Sequence, residues 1–339
     1  MIQKAGLLLI NMGLAVSLFG QQTHGLGALL RANEYPGGDA GSKIQACIAA
    51  LPANGGTCDA RGIEGAPTIS SDPFQGVTKS GVLILGAGTY NVSATINVPA
   101  NWTIQGAYGG NRLETRAVNL GGTVLSWKGS SNGTVLRIFD AYHVDVRDLS
   151  IDGNLTPGTT GIRIDSDSHP ATHNIVVENF TIYRCFVGIQ WGTGNGNQAD
   201  KVLIYNGIIQ SWMPDSSGIV VQGANKGQES KIEAVTMVSV DTGIDLSGVP
   251  SYFTIKECGF GTPVTPGRED PAIKAVGAEN LIIESGSSES GPPSGHGQVA
   301  RVFIHYLASP YNVGSVATVL INTKVNEPII IEGGKLLSV

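Results

Sequence analysis

From about Gly81 onward, short runs of Val, Ile and Thr alternate with clusters of Gly, Asn, Asp and Ser. That alternation is the punctuation of strands and turns, and it continues to the end of the chain. One stretch reads differently. Within 39–51, Ile44, Ile48 and Leu51 recur at intervals of four and three, the spacing of one helical face, and Asp39 or Ser42 can cap its start.

The strand-rich part repeats. Thr160-Gly161-Ile162-Arg163-Ile164, Val187-Gly188-Ile189-Gln190-Trp191, Ser217-Gly218-Ile219-Val220-Val221, Thr242-Gly243-Ile244-Asp245-Leu246 and Pro271-Ala272-Ile273-Lys274-Ala275 align. The steps between their small residues are 27, 30, 25 and 29. A second row, beginning at Val146, Val177, Leu203, Ile232 and Ile255, aligns as well, so each repeat holds at least two short strands. One such repeat cannot close a core, whereas stacked repeats bury a continuous apolar column. A period of this size without helices predicts an all-β parallel β-helix, a solenoid of stacked coils. Leucine-rich repeats need a Leu frame that is absent, and propeller blades are longer. The helix would then cover the open first coil, whose unpaired edge invites aggregation.

Composition narrows the class. Gly occurs 47 times without a three-residue period, and charged residues make up only 14% of the chain, which excludes collagen, disordered chains and helical bundles. A net charge of -6 argues against nucleic acid as a partner, although local Arg or Lys can still line a site for an acidic polysaccharide. At the N-terminus, Lys4 followed by an apolar stretch too short to span a bilayer reads as a signal peptide. The expected organisation is a signal peptide at 1–20, a mobile polar leader at 21–38, a cap with its helix at 39–75 and the β-helix at 76–339. The product would be secreted or periplasmic, with no membrane partner once the signal is cleaved. In an oxidising compartment Cys47 and Cys58, close in sequence across a turn-rich stretch, are the natural disulfide pair, leaving Cys185 and Cys258 free.

Several motifs occur in a telling order: Ile44-Gln45-Ala46-Cys47-Ile48, Gly55-Gly56-Thr57, Gly86-Ala87-Gly88-Thr89-Tyr90, Trp102-Thr103-Ile104-Gln105-Gly106 and Leu149-Ser150-Ile151-Asp152-Gly153. Over 40–153 the chain resembles the N-terminal region of the pectate-lyase superfamily, with Gly86 standing where that family often has Pro. The resemblance implies a right-handed parallel β-helix. The superfamily holds polysaccharide lyases, polygalacturonase-like hydrolases and phage tailspikes, so fold likeness leaves activity open. In the polygalacturonases, catalytic Asp and His residues precede the small residue of such segments; here none does. Gly295-His296-Gly297 lies in a loop rich in Gly, Pro and Ser and lacks the Ile that the family motif carries.

Strand alternation points Arg163, Gln190, Val220, Asp245 and Lys274 outward, on one face of adjacent coils. Asp241 and Asp270 each lie three residues before an inward Ile, and Asp215 lies four before Ile219, which suggests a carboxylate ladder along the lip of that face. The expectation is that Gln190, Asp241, Asp245, Asp270 and Lys274 share one exposed surface. Asp245, Lys274, Asp241 and Asp270 are the candidate catalytic residues; Arg163, Gln190 and Asp215 are the candidate substrate contacts. A Lys or Arg could remove the proton beside a uronate carboxyl while carboxylate-bound Ca²⁺ stabilises the enolate, which is how lyases of the superfamily work. Ca²⁺ is thus the cofactor a lyase would require. A second cluster comprises Asp145, Asp148, Asp152, Asp165, Asp167, His169 and His173. Asp148 aligns with Asn179, Asn206 and Glu257 at a bend where such side chains bond their own turn. The leading expectation is cleavage of an acidic polysaccharide, lyase ahead of hydrolase. The rivals are a non-catalytic polysaccharide-binding or adhesion module, and a bare scaffold.

Overall fold

The computed structural model describes residues 27–107, 122–166, 172–192, 199–222, 228–247, 252–261, 263–265, 270–276 and 281–288, and the strands Ile304–Leu307, Ala317–Ile321, Ile329–Glu332 and Lys335–Ser338. The expected signal peptide, Asp167, His169 and His296 lie outside the described residues.

The chain winds into a parallel β-solenoid of about eight turns. Its strands form a seventeen-stranded sheet and a nine-stranded sheet. One coil leaves the smaller sheet at Thr160–Asp165, runs along the larger sheet through Thr172–Tyr183, and returns at Val187–Trp191. The repeat register is the one read from the Gly-Ile segments: Ile162, Ile189, Ile219, Ile244 and Ile273 pair in succession and are fully buried.

Glycine recurs in those segments for a steric reason. A Cβ at Gly161 would stand 2.7 Å from the Gly188 carbonyl oxygen and 2.9 Å from Ile182 Cγ2; one at Gly243 would stand 2.4 Å from the Ala272 carbonyl oxygen. At this corner the next coil passes too close for a side chain. The larger sheet bends mid-strand at Asp148, Asn179, Asn206 and Glu257, all at positive φ. Asn206 Nδ2 donates to Asn179 Oδ1 at 2.7 Å, and Asn179 Nδ2 donates to Asp148 Oδ1 at 3.1 Å. Asn and Asp tolerate the left-handed conformation, and here the amides satisfy one another from coil to coil.

The helix α1 (Ala40–Ala50) closes the first coil. Asp39 caps it: Ser42 N donates to Asp39 Oδ1 at 2.8 Å, and Asp39 N donates to Ser42 Oγ at 3.1 Å. Ile44, Cys47 and Ile48 are fully buried beneath it. A disulfide joins Cys47 of the helix to Cys58 of the strand Gly56–Asp59, while Cys185 and Cys258 are free and buried. The segment expected as a mobile leader contains structure. Ala28–Arg31 is a strand that pairs with Gly56–Asp59, and a 3₁₀ turn, Ala32–Glu34, follows it. Its polar, Gly-rich surroundings hid a four-residue strand whose outward positions face solvent. No helix among the described residues is long and apolar enough to cross a membrane.

Candidate functional site

The outward face of the smaller sheet carries a column of side chains, one per coil: Asn97, Arg137, Arg163, Gln190, Val220, Asp245 and Lys274. Alternation puts the residue two further on in the next column, so Asp165 stands beside Phe139.

At the N-terminal end of this face, one carboxylate holds two guanidiniums. Arg137 Nε donates to Asp165 Oδ1 at 3.1 Å and its NH2 donates to Oδ2 at 3.2 Å; Arg163 Nε donates to Oδ2 at 2.8 Å. Asp165 is 2% exposed, whereas the two arginine side chains are 33% and 35% exposed. Arg137 is also stacked 4.1 Å above the centre of the Phe139 ring. The Asp165 carboxylate is thus held between two guanidiniums. The fork geometry of Arg suits a planar carboxylate. Further along, Gln190 Nε2 donates to Gln222 Oε1 at 3.1 Å. Beyond Val220, Lys274 Nζ lies 3.5 Å from Asp245 Oδ2, and Ser247 Oγ donates to Asp245 Oδ1. Arg163 and Asp245 are three strands apart, about 14 Å at ~4.8 Å per strand. The column is long enough for several sugar rings, with its charge gathered at two places and Val220 between them only 5% exposed.

The expected carboxylate ladder is not there as an exposed feature. Asp241 is 1% exposed. Its carboxylate accepts from Asp215 N at 2.7 Å, Thr265 N at 2.8 Å and Thr265 Oγ1 at 2.6 Å. It ties neighbouring turns together rather than facing a substrate. Asp215 is exposed at positive φ, and Asp270 is half-buried. The shared surface expected for five residues therefore loses Asp241, and keeps Gln190, Asp245 and Lys274 in one column.

The second cluster disperses over the coil. Asp148 belongs to the amide ladder. Asp152 is buried and accepts from Arg184 Nε at 2.8 Å, from the Arg184 NH2 group and from Asn154 N at 2.7 Å. Burial pushes the neighbouring Tyr183 hydroxyl above its ordinary pKa, with the Asp152 charge adding to it. Asp145, beside Arg147 on a different face, is also pushed up, chiefly by burial. His173 stacks on Tyr142. Trp191 lies in the core against Phe253, with ring centres 5.9 Å apart, and Trp127 is buried with Nε1 donating to the Ser130 carbonyl.

Calcium does not fit these residues. Among the described residues no three His, Cys, Asp or Glu side chains group as a metal site. The Asp165 carboxylate is bridged by two guanidiniums, and the Asp241 carboxylate accepts three donors. Arg137 is the residue sequence reasoning missed. Its strand, Thr134–Phe139, has Val135 where the later coils have Gly, so the Gly-Ile template passed over it. The signal was the alternation of Leu136, Arg137 and Ile138, one period before Ile162, Arg163 and Ile164.

No protein-family model matches the chain, and no characterised protein matches it in sequence. Solved structures do resemble it in shape. An alginate lyase from Paenibacillus sp. str. FPU-7 superposes with a TM-score of 0.51 at 14% identity, over 86% of this chain and 96% of that one. The A-module of an Azotobacter vinelandii mannuronan C-5 epimerase gives 0.36 at 13% identity, over 92% and 100%. A DFA-IIIase from Arthrobacter chlorophenolicus A6 without its lid gives 0.44 at 14%, over 89% and 90%. At such identities the likeness is one of architecture alone: the fold is a parallel β-helix.

Proposed function

We propose that this chain is a secreted, carbohydrate-active protein that binds an acidic polysaccharide along the outward face of the nine-stranded sheet and cleaves it by β-elimination. The observation that carries this reading is the Arg137–Asp165–Arg163 group, in which one buried carboxylate presents two guanidiniums, each about a third exposed, on the same face. A sugar carboxylate suits the exposed guanidinium edges, and Asp165 holds both ready so that little side-chain freedom is lost on binding.

In elimination a base removes the proton on the carbon beside the carboxyl group, a C=C bond forms, and the C–O bond to the next sugar breaks, its oxygen taking a proton. The need is for carboxylate neutralisation and one base. Lys274 is the candidate base, with Asp245 as its ion-pair partner. Four strands, about 19 Å, separate Lys274 from Arg163, so the arginines anchor one ring of the bound chain and do not neutralise the carboxyl of the ring that Lys274 deprotonates. Hydrolysis by the usual route needs two facing carboxylates. On this face, among the described residues, Asp165 is already engaged and Asp241 is buried. The ion pair of Lys274 with Asp245 is also what favours the second reading, a non-catalytic binding module. Export is supported by the Cys47–Cys58 disulfide, which suits an oxidising compartment, and N-terminal sequencing of the mature protein tests it.

The experiment is incubation with a panel of acidic and neutral polysaccharides, reading the absorbance of new unsaturated ends together with reducing ends. Elimination gives both signals, and chelator leaves them unchanged. Reducing ends without unsaturation mean hydrolysis; retention of polymer without cleavage means the binding module. Arg137→Ala and Arg163→Ala are each expected to weaken binding of acidic polymer by about tenfold or more, as loss of a charge-assisted contact does. Unchanged binding in both variants removes the site.

A further inference from the structure

We infer that the corner following the strand Thr134–Phe139 carries a platform for a sugar ring, built from Tyr142, His143 and His173, which extends the arginine site to a second ring of the same acidic oligosaccharide. The inference rests on the reading of Arg137 and Arg163 as the carboxylate site.

Three aromatic rings, one tyrosine and two of the six histidines of the chain, meet at this corner. Tyr142 and His173 pair in register on adjacent coils, their rings stacked at 15° with centres 5.7 Å apart. His143 stands edge-on to both, 5.4 Å from Tyr142 and 6.2 Å from His173. Tyr142 and His143 lie outside the core, with His173 half-buried beside them. The core side of this corner is filled by Ala141 and Val144, each 1% exposed, while Tyr142 is 36% exposed and His143 is exposed. Folding leaves about a third of Tyr142, and at least as much of His143, open to another occupant. His143 also interrupts a polar column. Asn101 before it and Asn174 after it occupy the same left-handed position, and His143 Nδ1 lies 3.3 Å from Asn101 Oδ1.

The corner is anchored to the arginine site through one atom. The Asp165 carbonyl oxygen accepts from Asp140 N at 3.2 Å and from Thr172 Oγ1 at 2.9 Å, and Thr172 Oγ1 in turn accepts from Ala141 N at 3.3 Å. The residue whose side chain sets the two guanidiniums thus sets, through its backbone, the two residues that lead into Tyr142. The chemistry of the trio suits a pyranose. An aromatic face takes the C–H face of the ring, and His143 Nε2 and the Asn101 amide nitrogen are placed for hydroxyls at its edge. A carboxylate on one sugar and a stacked ring beside it together define an oligouronate.

The test is equilibrium titration with a uronate monomer, a long oligouronate and a neutral oligosaccharide of equal length. Tyr142→Ala is expected to weaken the oligouronate by about tenfold, the scale of a buried tyrosine contact, and to leave the monomer unchanged. Tyr142→Trp is expected to restore oligomer binding, which separates ring stacking from loss of fold. Oligomer binding by Tyr142→Ala equal to wild type, with Arg163→Ala impaired, overturns the platform and leaves the arginine site standing. Binding that depends on Tyr142 but not on Arg163 supports the platform and removes the arginine reading. Absence of binding to every saccharide in the wild-type protein overturns both.

Discussion

The two charged places on the outward face sit in one column and follow one register, yet they are built differently. At the N-terminal end, Asp165 is buried and shared by two arginines through three hydrogen bonds. At the C-terminal end, Asp245 and Lys274 form a single contact at 3.5 Å between side chains that are 20% and 38% exposed. The strand scaffold sets where a side chain points; its neighbours set whether that side chain is held. A carboxylate shared by two arginines is fixed in place, whereas an exposed one-to-one pair is nearly self-sufficient in water.

The contrast can be broken most forcefully at Asp165. Asp165→Ala leaves two guanidiniums without their shared partner; because both are a third exposed, the expected cost is about 2–3 kcal/mol rather than the full penalty of a buried charge. Denaturant titration checks it, and a loss below about 0.5 kcal/mol would make the two ends equivalent. The same variant should lose the binding of acidic polymer, since the guanidiniums are no longer held in place. At the other end, Asp245→Asn and Lys274→Ala are each expected to move stability by no more than about 0.5 kcal/mol. If Lys274 is the base, Lys274→Ala abolishes cleavage while oligomer binding at the arginines persists. The smallest effect is that of salt. Raising ionic strength should bring the stability of Asp245→Asn and wild type together, while the deficit of Asp165→Ala is largely kept, because buried pairs are screened least.

The coil register was legible because the close approach at Gly161, Gly188, Gly218 and Gly243 admits no side chain, and a steric demand repeated every coil prints itself on the sequence. The helix was legible for the same kind of reason: its cap and its apolar face are local. Asp148, Asn179 and Asn206 could be read as bend residues because the left-handed bend selects them. What stayed hidden was the partnership of side chains across coils. Nothing in the spacing of Asp241 reveals that Thr265 and the Asp215 amide converge on it. Arg137 was missed because the first coils meet the corner with Val135 rather than glycine. Asp165 could be seen as a polar loop residue, but not as the carboxylate that two arginines share.

In-register stacking makes the outward face a ruler. Each coil adds one residue to every column and ~4.8 Å to the length of the face. The distance between the arginine pair and the Asp245–Lys274 pair is therefore set by counting coils, and it is indifferent to the length of the loops between them. A chain that gained or lost one coil between Arg163 and Asp245 would move its two charged places apart or together by that single step, with neither site altered. The spacing between sites in such a protein is a whole number of coils, and if a polymer binds along the face as proposed, the preferred length would change in the same discrete steps.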